Sequence, residues 1–386
     1  MNVYILSGAR TPSGSFNGTL ANVPAPQLGA TAIKGAVERS GVDANKIDEV
    51  FMGNVVQAGL GQAPARQAMI YAGLPKSVGA TTINKVCGSG MKTIILAAQS
   101  IKAGDNKLVV AGGMENMSAA PYFIPQGRNG YRFGDGQLKD SMQHDGLFDP
   151  YGQVAMGVYA EKCANHYSFS RKEQDDFAIE SFKRAQNAIK EGIFKSEIVP
   201  VIVKNRKEEL TVLEDEGPFK VKFDKLPTLK PAFDPNGTVT AANSSTINDG
   251  AAAIVLGGEE YKNQAKFKVV AYANHSQDPE WFTTAPVNAI KKCLEKAHMK
   301  KEDIDLFEIN EAFAVVTMAA MKEFNLSHDK VNIYGGGVSL GHPIGCSGTR
   351  IMVTLMNAME RKNAKFGMGA ICIGGGEATA MIIEKL

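Results

Sequence analysis

The residues able to do chemistry are few and sit in short, small-residue stretches. Cys87 stands in N-K-V-C-G-S-G-M (Asn84 to Met91), with the apolar run T-I-I-L-A-A beginning shortly after Gly90. If G-S-G opens a helix, the thiol lies at the positive end of the helix dipole, where the thiolate is favoured. A small core cysteine is the competing reading, because free cysteine is among the most buried residue types. His342 stands in G-G-G-V-S-L-G-H-P-I-G-C-S-G (Gly335 to Gly348), between Gly341 and Pro343. Such backbone is loop-like, and an imidazole there suits acid–base work near neutral pH. Cys372 ends the apolar run A-I-C-I before Gly374 to Gly376, whose N–H groups can face an anion. A core strand followed by a glycine hairpin fits it equally. Asn310, in I-N-E-A-F-A, ends a strand-like segment where ligand groups gather in α/β sheets. Helix N-capping is its alternative.

Two thiols, an imidazole and glycine-rich amides suit thioester chemistry. A thiolate takes an acyl group from a thioester at little thermodynamic cost, since one thioester replaces another. A second thiol can act as base toward a carbon acid if its pKa is tuned.

Positioning these groups requires elements from distant parts of the chain, and the chain nearly repeats itself. A-I-K-G-A-V-E-R-S-G-V-D-A-N-K-I-D-E-V-F-M-G (Ala32 to Gly53) aligns without a gap on A-I-K-K-C-L-E-K-A-H-M-K-K-E-D-I-D-L-F-E-I-N (Ala289 to Asn310). Both read as an amphipathic helix, a turn and a buried strand. C-G-S-G-M-K (Cys87 to Lys92) then faces G-C-S-G-T-R (Gly345 to Arg350), and A-G-G-M-E (Ala111 to Glu115) faces I-G-G-G-E (Ile373 to Glu377). The register drifts slowly and keeps its order, which predicts two related α/β halves. A pseudo-twofold core brings both sets of strand ends and helix starts to one crevice. The stretch 118–247 differs. It holds aromatic, Gly- and Pro-rich segments and a polar helix with a capping box at Ser170 and Glu173, and it reads as an insertion.

Bulk composition narrows the class. The chain has 386 residues, 42 basic and 40 acidic side chains and a net charge of +2, so nothing in its charge points to nucleic acid or a membrane surface. Five cysteines at wide spacings, without a CxxC pair, argue against a disulfide framework or a structural zinc site. The opening M-N-V-Y-I-L-S-G-A-R-T-P reads as a strand and a turn rather than a leader, and no 18-residue apolar run appears. A cytoplasmic location is the expectation.

V-C-G-S-G, N-E-A-F-A, G-G-G-V-S-L-G-H-P-I-G-C-S-G and C-I-G-G-G-E closely resemble the signatures of the thiolase family. T-V-T-A-A-N-S-S-T-I-N-D-G-A-A-A (Thr238 to Ala253) resembles its CoA-proximal segment. The resemblance spans nearly the whole chain and implies a duplicated five-layered αβαβα core with an inserted loop domain. The N-terminal half would be 1–117 plus 248–265, the insertion 118–247 and the C-terminal half 266–386. Carried over by position, it implies Cys87 as the acylated nucleophile and His342 as its activator. Cys372 would be the acid/base acting on the second acyl-CoA, Asn310 the holder of a water beside His342, and Gly374 a donor in a second oxyanion hole. Ser245, Leu147, Met156, Phe233, Ala312 and Phe313 would line the CoA tunnel.

The implied reaction is Claisen condensation of two acetyl-CoA to acetoacetyl-CoA and CoA, without a metal or bound cofactor, in a homotetramer. A degradative 3-ketoacyl-CoA thiolase for longer or branched chains is the alternative. A ketoacyl synthase would place histidine where Cys372 stands, and the full Cys/His/Cys set speaks against a non-catalytic carrier. Y-R-F-G-D-G-Q-L-K-D-S-M resembles the tetramerisation loop of short-chain members. Two positions depart from the family pattern: Ala155 replaces a usual histidine, and Phe282 stands where many bacterial members have methionine.

Overall fold

The protein is described here by a computed structural model covering residues 1–204 and 209–386. Its β-branched and apolar runs form one ten-stranded mixed sheet. The named strands are β1 (Tyr4–Arg10), β2 (Glu49–Gly53), β3 (Gly79–Ile83), β4 (Leu108–Asn116), β5 (Asn248–Gly257), β6 (Phe267–Ser276), β7 (Leu306–Ile309), β8 (Phe366–Ile373) and β9 (Glu377–Lys385). Their spatial order is β7-β8-β9-β6-β1-β5-β4-β2-β3, with Gly14–Ser15 pairing onto β5. Read outward from the central β1/β6 contact, the order β1-β5-β4-β2 on one side mirrors β6-β9-β8-β7 on the other. The repeat seen in the sequence is therefore a repeat in space. The β1/β6 pair itself is short, Tyr4 opposite Lys268 and Ile5 opposite Phe267.

The mirror also explains the insertion. In the second half β8 returns directly to β9 through Gly374 to Gly376. In the first half the corresponding return, from β4 to β5, carries the residues between Asn116 and Asn248.

Five layers result. Helices α1 (Ala25–Ser40) and α2 (Pro64–Tyr71) bury their apolar stripes against the outer face of the first half. Helix α3 (Ser89–Ala103) is buried between the two half-sheets, where it meets the later helix Ile344–Lys362. In the insertion, α4 (Met156–Tyr167) precedes α5 (Arg171–Lys190), whose start carries the expected Ser170/Glu173 capping box. Helix α6 (Ala285–Ala297) covers the second half, followed by α7 (Ala314–Phe324), the short α8 (Gly337–Leu340) and α9 (Ile344–Lys362).

The two central helices touch backbone to backbone, and small residues make this possible. A β-carbon on Gly348 of α9 would lie 2.3 Å from the Met91 nitrogen of α3, and one on Gly90 would lie 2.7 Å from the Thr349 nitrogen. Gly88 and Gly90 of C-G-S-G, beside the implied nucleophile, invite the reading that they let the backbone crowd an acyl group. They make room for protein instead, since a β-carbon on Gly88 would strike Ile373 of β8 at 2.3 Å.

Arg10 at the end of β1 ties the insertion to the core. Its guanidinium donates to Glu197 at 2.6 Å and to both oxygens of Asp215 at 2.7 and 2.9 Å, and it lies 5.0 Å from the Phe194 ring centroid. Removing one partner of a buried, hydrogen-bonded charge set leaves the others uncompensated. Arg10→Met is expected to lower stability by roughly 3–5 kcal/mol, read by chemical denaturation. A loss within about 1 kcal/mol would mean that the two carboxylates find other partners or protons.

Candidate active site

Cys87 immediately precedes Gly88, the N-cap of α3, as the sequence led one to expect. The turn that presents it is strained. Val86 has a φ of +45°, in the left-handed region that a β-branched residue rarely adopts. Local side chains hold the turn: Val86 N–H donates to Asn84 at 3.0 Å, while the Ser89 hydroxyl accepts from Lys85 N–H at 2.8 Å and donates to the Val86 carbonyl at 2.6 Å. The Gly374 backbone lies close by, a β-carbon there falling 3.7 Å from the Val86 side chain, and the Gly374 and Cys87 amides both favour the Cys87 thiolate. The glycine run after β8 thus reaches across from the second half, with Gly375 and Gly376 at φ of +88° and +85° making the turn back into β9.

His342 lies in the extended link between α8 and α9 and is buried. Its tautomer follows from its partners. The Ser347 hydroxyl has one proton and donates it to the Pro343 carbonyl at 2.9 Å. It therefore accepts from His342 Nδ1–H, 2.5 Å away. Nε2 is left with its lone pair and makes no hydrogen bond among the described residues. Burial and then the charge of Arg350 pull the imidazole down to about 3, so it is neutral near pH 7. Nε2 carries no proton at rest and can take one.

The thiols correct one expectation. A helix start was expected to hold Cys87 as a thiolate, but burial outweighs the amide contacts and pushes the thiol up to about 11. Cys87 rests protonated, so a base must act when it attacks. Cys372, on β8, is raised well above its ordinary value by burial and then by the proximity of Cys87. The two sulfurs are thus neighbours. Cys372 is fully buried, packed with the cluster that includes Phe282, Phe313 and Tyr159, and it lies behind the cavity wall. Cys346, the repeat partner near Cys87, is buried in the central core.

Asn310 follows β7 and is also buried, with both amide atoms unpartnered among the described residues. It does not cap α7, whose N-cap is Phe313, so the capping alternative is wrong. Its amide is directed toward α8: a β-carbon on Gly337 would lie 3.3 Å from Asn310 Oδ1.

Cys87, His342 and Gly374 open onto one cavity of about 320 Å³. Its walls include each candidate for the substrate tunnel: Leu147, Met156, Phe233, Ser245, Ala312 and Phe313. Ala155 and Phe282, the two departures from the family pattern, also face it. Four helices start at or beside this cavity, namely α3, α4, α7 and α9, next to its lining residues Cys87, Ala155, Phe313 and Ile344. Their positive ends favour negative charge inside it. Through Phe233 and the Ser244–Ile247 segment the cavity joins a cleft of about 740 Å³ that is bordered by Lys220, Lys222 and Lys225.

Several supporting residues escaped the sequence reading. Ser347 sets the imidazole tautomer. Glu115 accepts from Asn54, from the Val55 and Val56 amides and from the Gly345 amide at 2.6–3.1 Å, and burial raises it to about 7. It joins the loop after β2 to the first turn of α9. Asn332 clamps the Ile309 amide and carbonyl, both at 2.8 Å, and so fixes the end of β7 beside Asn310. Ser347 and Glu115 stood in quoted motifs, but only contacts across the fold distinguish them from ordinary polar residues.

Comparison with known proteins adds an independent line. The family description "Thiolase, N-terminal domain" matches residues 3–260 and "Thiolase, C-terminal domain" matches residues 263–385. The acetyl-CoA acetyltransferase of Yarrowia lipolytica is 51% identical, the match covering 99% of this chain and 96% of that protein. That of Schizosaccharomyces pombe is 50% identical over 100% and 99%. Among solved structures, an acetyl-CoA acetyltransferase of Bacillus anthracis superposes with a TM-score of 0.97 at 41% identity, covering 100% of this chain and 99% of that one. A thiolase of Ascaris suum in complex with coenzyme A superposes with a TM-score of 0.94 at 46% identity, with both chains fully covered.

Proposed function

We propose, from the premise that this chain belongs to the thiolase family, that it is an acetyl-CoA C-acetyltransferase joining two acetyl-CoA into acetoacetyl-CoA and CoA, reversibly, through an acylated Cys87. The observation that carries the reading is the meeting of Cys87, the Gly374 N–H and the bare Nε2 of His342 at one cavity that leads to a lysine-bordered cleft. The lysines suit the phosphates of CoA, and the narrow apolar passage suits its pantetheine arm.

In the first half-reaction, His342 Nε2 takes the Cys87 proton and the thiolate attacks the acetyl carbonyl. The Cys87 and Gly374 N–H groups stabilise the oxyanion. CoA leaves as a thiolate and takes a proton from Cys372. The acyl-enzyme now faces an imidazolium and a Cys372 thiolate. In the second half-reaction that thiolate removes the α-proton of a second acetyl-CoA. Imidazolium N–H and a water held by Asn310 stabilise the enolate oxygen. The carbanion attacks the Cys87 thioester, and Cys87 departs and regains its proton from His342. Every group ends as it began. The sequence of steps is redox-neutral and asks for no resident cofactor, CoA being substrate and product.

Because His342 sits at about 3, free-enzyme kcat/KM should show no acid limb near the ordinary imidazole value of about 6.5. A limb there that disappears in His342→Gln would place a charged imidazole at rest and overturn the assigned tautomer.

A thiolysis assay across four-, six- and eight-carbon and 2-methyl-branched 3-ketoacyl-CoAs tests the substrate. The four-carbon substrate should have the highest kcat/KM. Ala155→His should reduce use of the branched substrate by roughly tenfold relative to the linear one, because the ring fills cavity space. A preference for eight carbons would favour the degradative alternative.

We also assign a homotetramer. The arm around 122–138 exposes Tyr122, Ile124, Phe133 and Leu138, an unusual apolar load for a free surface, and a second copy would cover it. Five free cysteines fit a reducing compartment such as the cytoplasm. Among the described residues no helix is long and apolar enough to cross a membrane.

A further inference from the structure

Cys87 and Gly374 belong to opposite halves of the molecule, yet they line one cavity, and a β-carbon on Gly374 would lie 3.7 Å from Val86 of the nucleophile turn. Both loops adopt uncommon backbone conformations. The first holds Val86 in a left-handed conformation, and the second turns through two glycines at positive φ. Strain of this kind persists only where the surroundings over-determine it. On one side the loops are packed together, for Gly88 lies so near Ile373 that a β-carbon would strike it.

On the other side, Lys85 and Glu377 form an ion pair across 292 positions of sequence. Lys85 is two residues before Cys87, and Glu377 is three residues after Gly374. Glu377 is itself anchored. It opens β9 opposite Ser276 of β6, and it accepts from the Ser276 hydroxyl at 2.9 Å. The Gly376 carbonyl beside it accepts from Gln277 N–H at 2.9 Å. The two side chains are 23% and 31% exposed, away from the cavity wall.

We propose that the Lys85–Glu377 ion pair is a positioning device that sets the nucleophile turn against the Gly374 amide, so that the oxyanion hole is formed before substrate arrives. This rests on Cys87 being the acylated residue. An ion pair as exposed as this one adds little to stability. Its loss should appear in the acylation rate instead, because a donor displaced by a fraction of an ångström loses much of its hold on a developing oxyanion.

The test uses single-turnover acylation of the full-length enzyme by radiolabelled acetyl-CoA, with steady-state kinetics and thermal melting alongside. Lys85→Met and Glu377→Gln should each slow acylation by roughly tenfold, with KM within about twofold of the parent and melting temperature unchanged. The double variant should be no slower than either single one, since both remove the same contact. Lys85→Arg should restore most of the rate. Losses that multiply in the double variant, an unchanged acylation rate, or a loss that tracks melting temperature would each overturn the proposal. If the parent enzyme carries its label elsewhere than Cys87, the functional reading fails first, and that result is distinct from any of these.

Discussion

Cys87→Ala should carry no acetyl group after incubation with acetyl-CoA and should lose condensation and thiolysis by at least roughly 10⁴-fold. The size of the effect follows from the arrangement. In the proposed reaction no acyl-enzyme forms without the sulfur, so the Gly374 amide would have no thioester oxygen to stabilise and His342 Nε2 no thiol proton to take. The cavity otherwise stays intact, because Cys87 sits in a turn held by Asn84 and Ser89. Substrate binding should therefore survive within about threefold, since the contacts proposed for the CoA phosphates lie in the adjoining cleft. The measurement is intact-protein and peptide mass spectrometry with isotopically labelled acetyl-CoA. Label found on Cys372 or Cys346 would sink the assignment of the nucleophile.

Cys372→Ala should separate the two half-reactions. Acylation of Cys87 should continue at a reduced rate, because CoA is a fair leaving group even without a proton donor. Exchange of the α-protons of acetyl-CoA with deuterated solvent should fall by roughly 10²–10⁴-fold, the usual contribution of a general base. The burial of Cys372 makes this demanding. Its thiolate is disfavoured by desolvation and then by charge on the nearby Cys87, so it is best used once Cys87 is acylated and can no longer ionise. Ordered use of the two thiols is then a consequence of their spacing. Exchange that persists in the alanine variant would give the base role to another group.

The repeat made much of the architecture legible. Helix, turn and strand recur at matching places in Ala32–Gly53 and Ala289–Asn310, and the observed strand order mirrors this about the β1/β6 contact. Periodicity and a capping box are local signals, and they were read correctly for α5. The candidate residues Cys87, His342 and Gly374 were found from small-residue surroundings and from family resemblance, and the structure gathers them at one cavity. The readings that failed all concerned protonation or contact. A helix start seemed to favour a Cys87 thiolate, but enclosure by the second half raised the thiol. Gly88 and Gly90 seemed to make space for substrate, but Ile373 and Thr349 occupy it.

The sequence by itself determined the duplicated α/β plan and the candidates for the reactive side chains, because these are carried by residue type and by spacing within a few turns of helix or strand. Tertiary structure alone decided that His342 rests neutral with Nε2 free, that Cys372 lies behind the wall beside Cys87, and that Lys85 meets Glu377. The physical reason is distance along the chain. Desolvation and hydrogen bonding depend on what surrounds a group, and for these groups most of the surroundings come from the other half of the molecule.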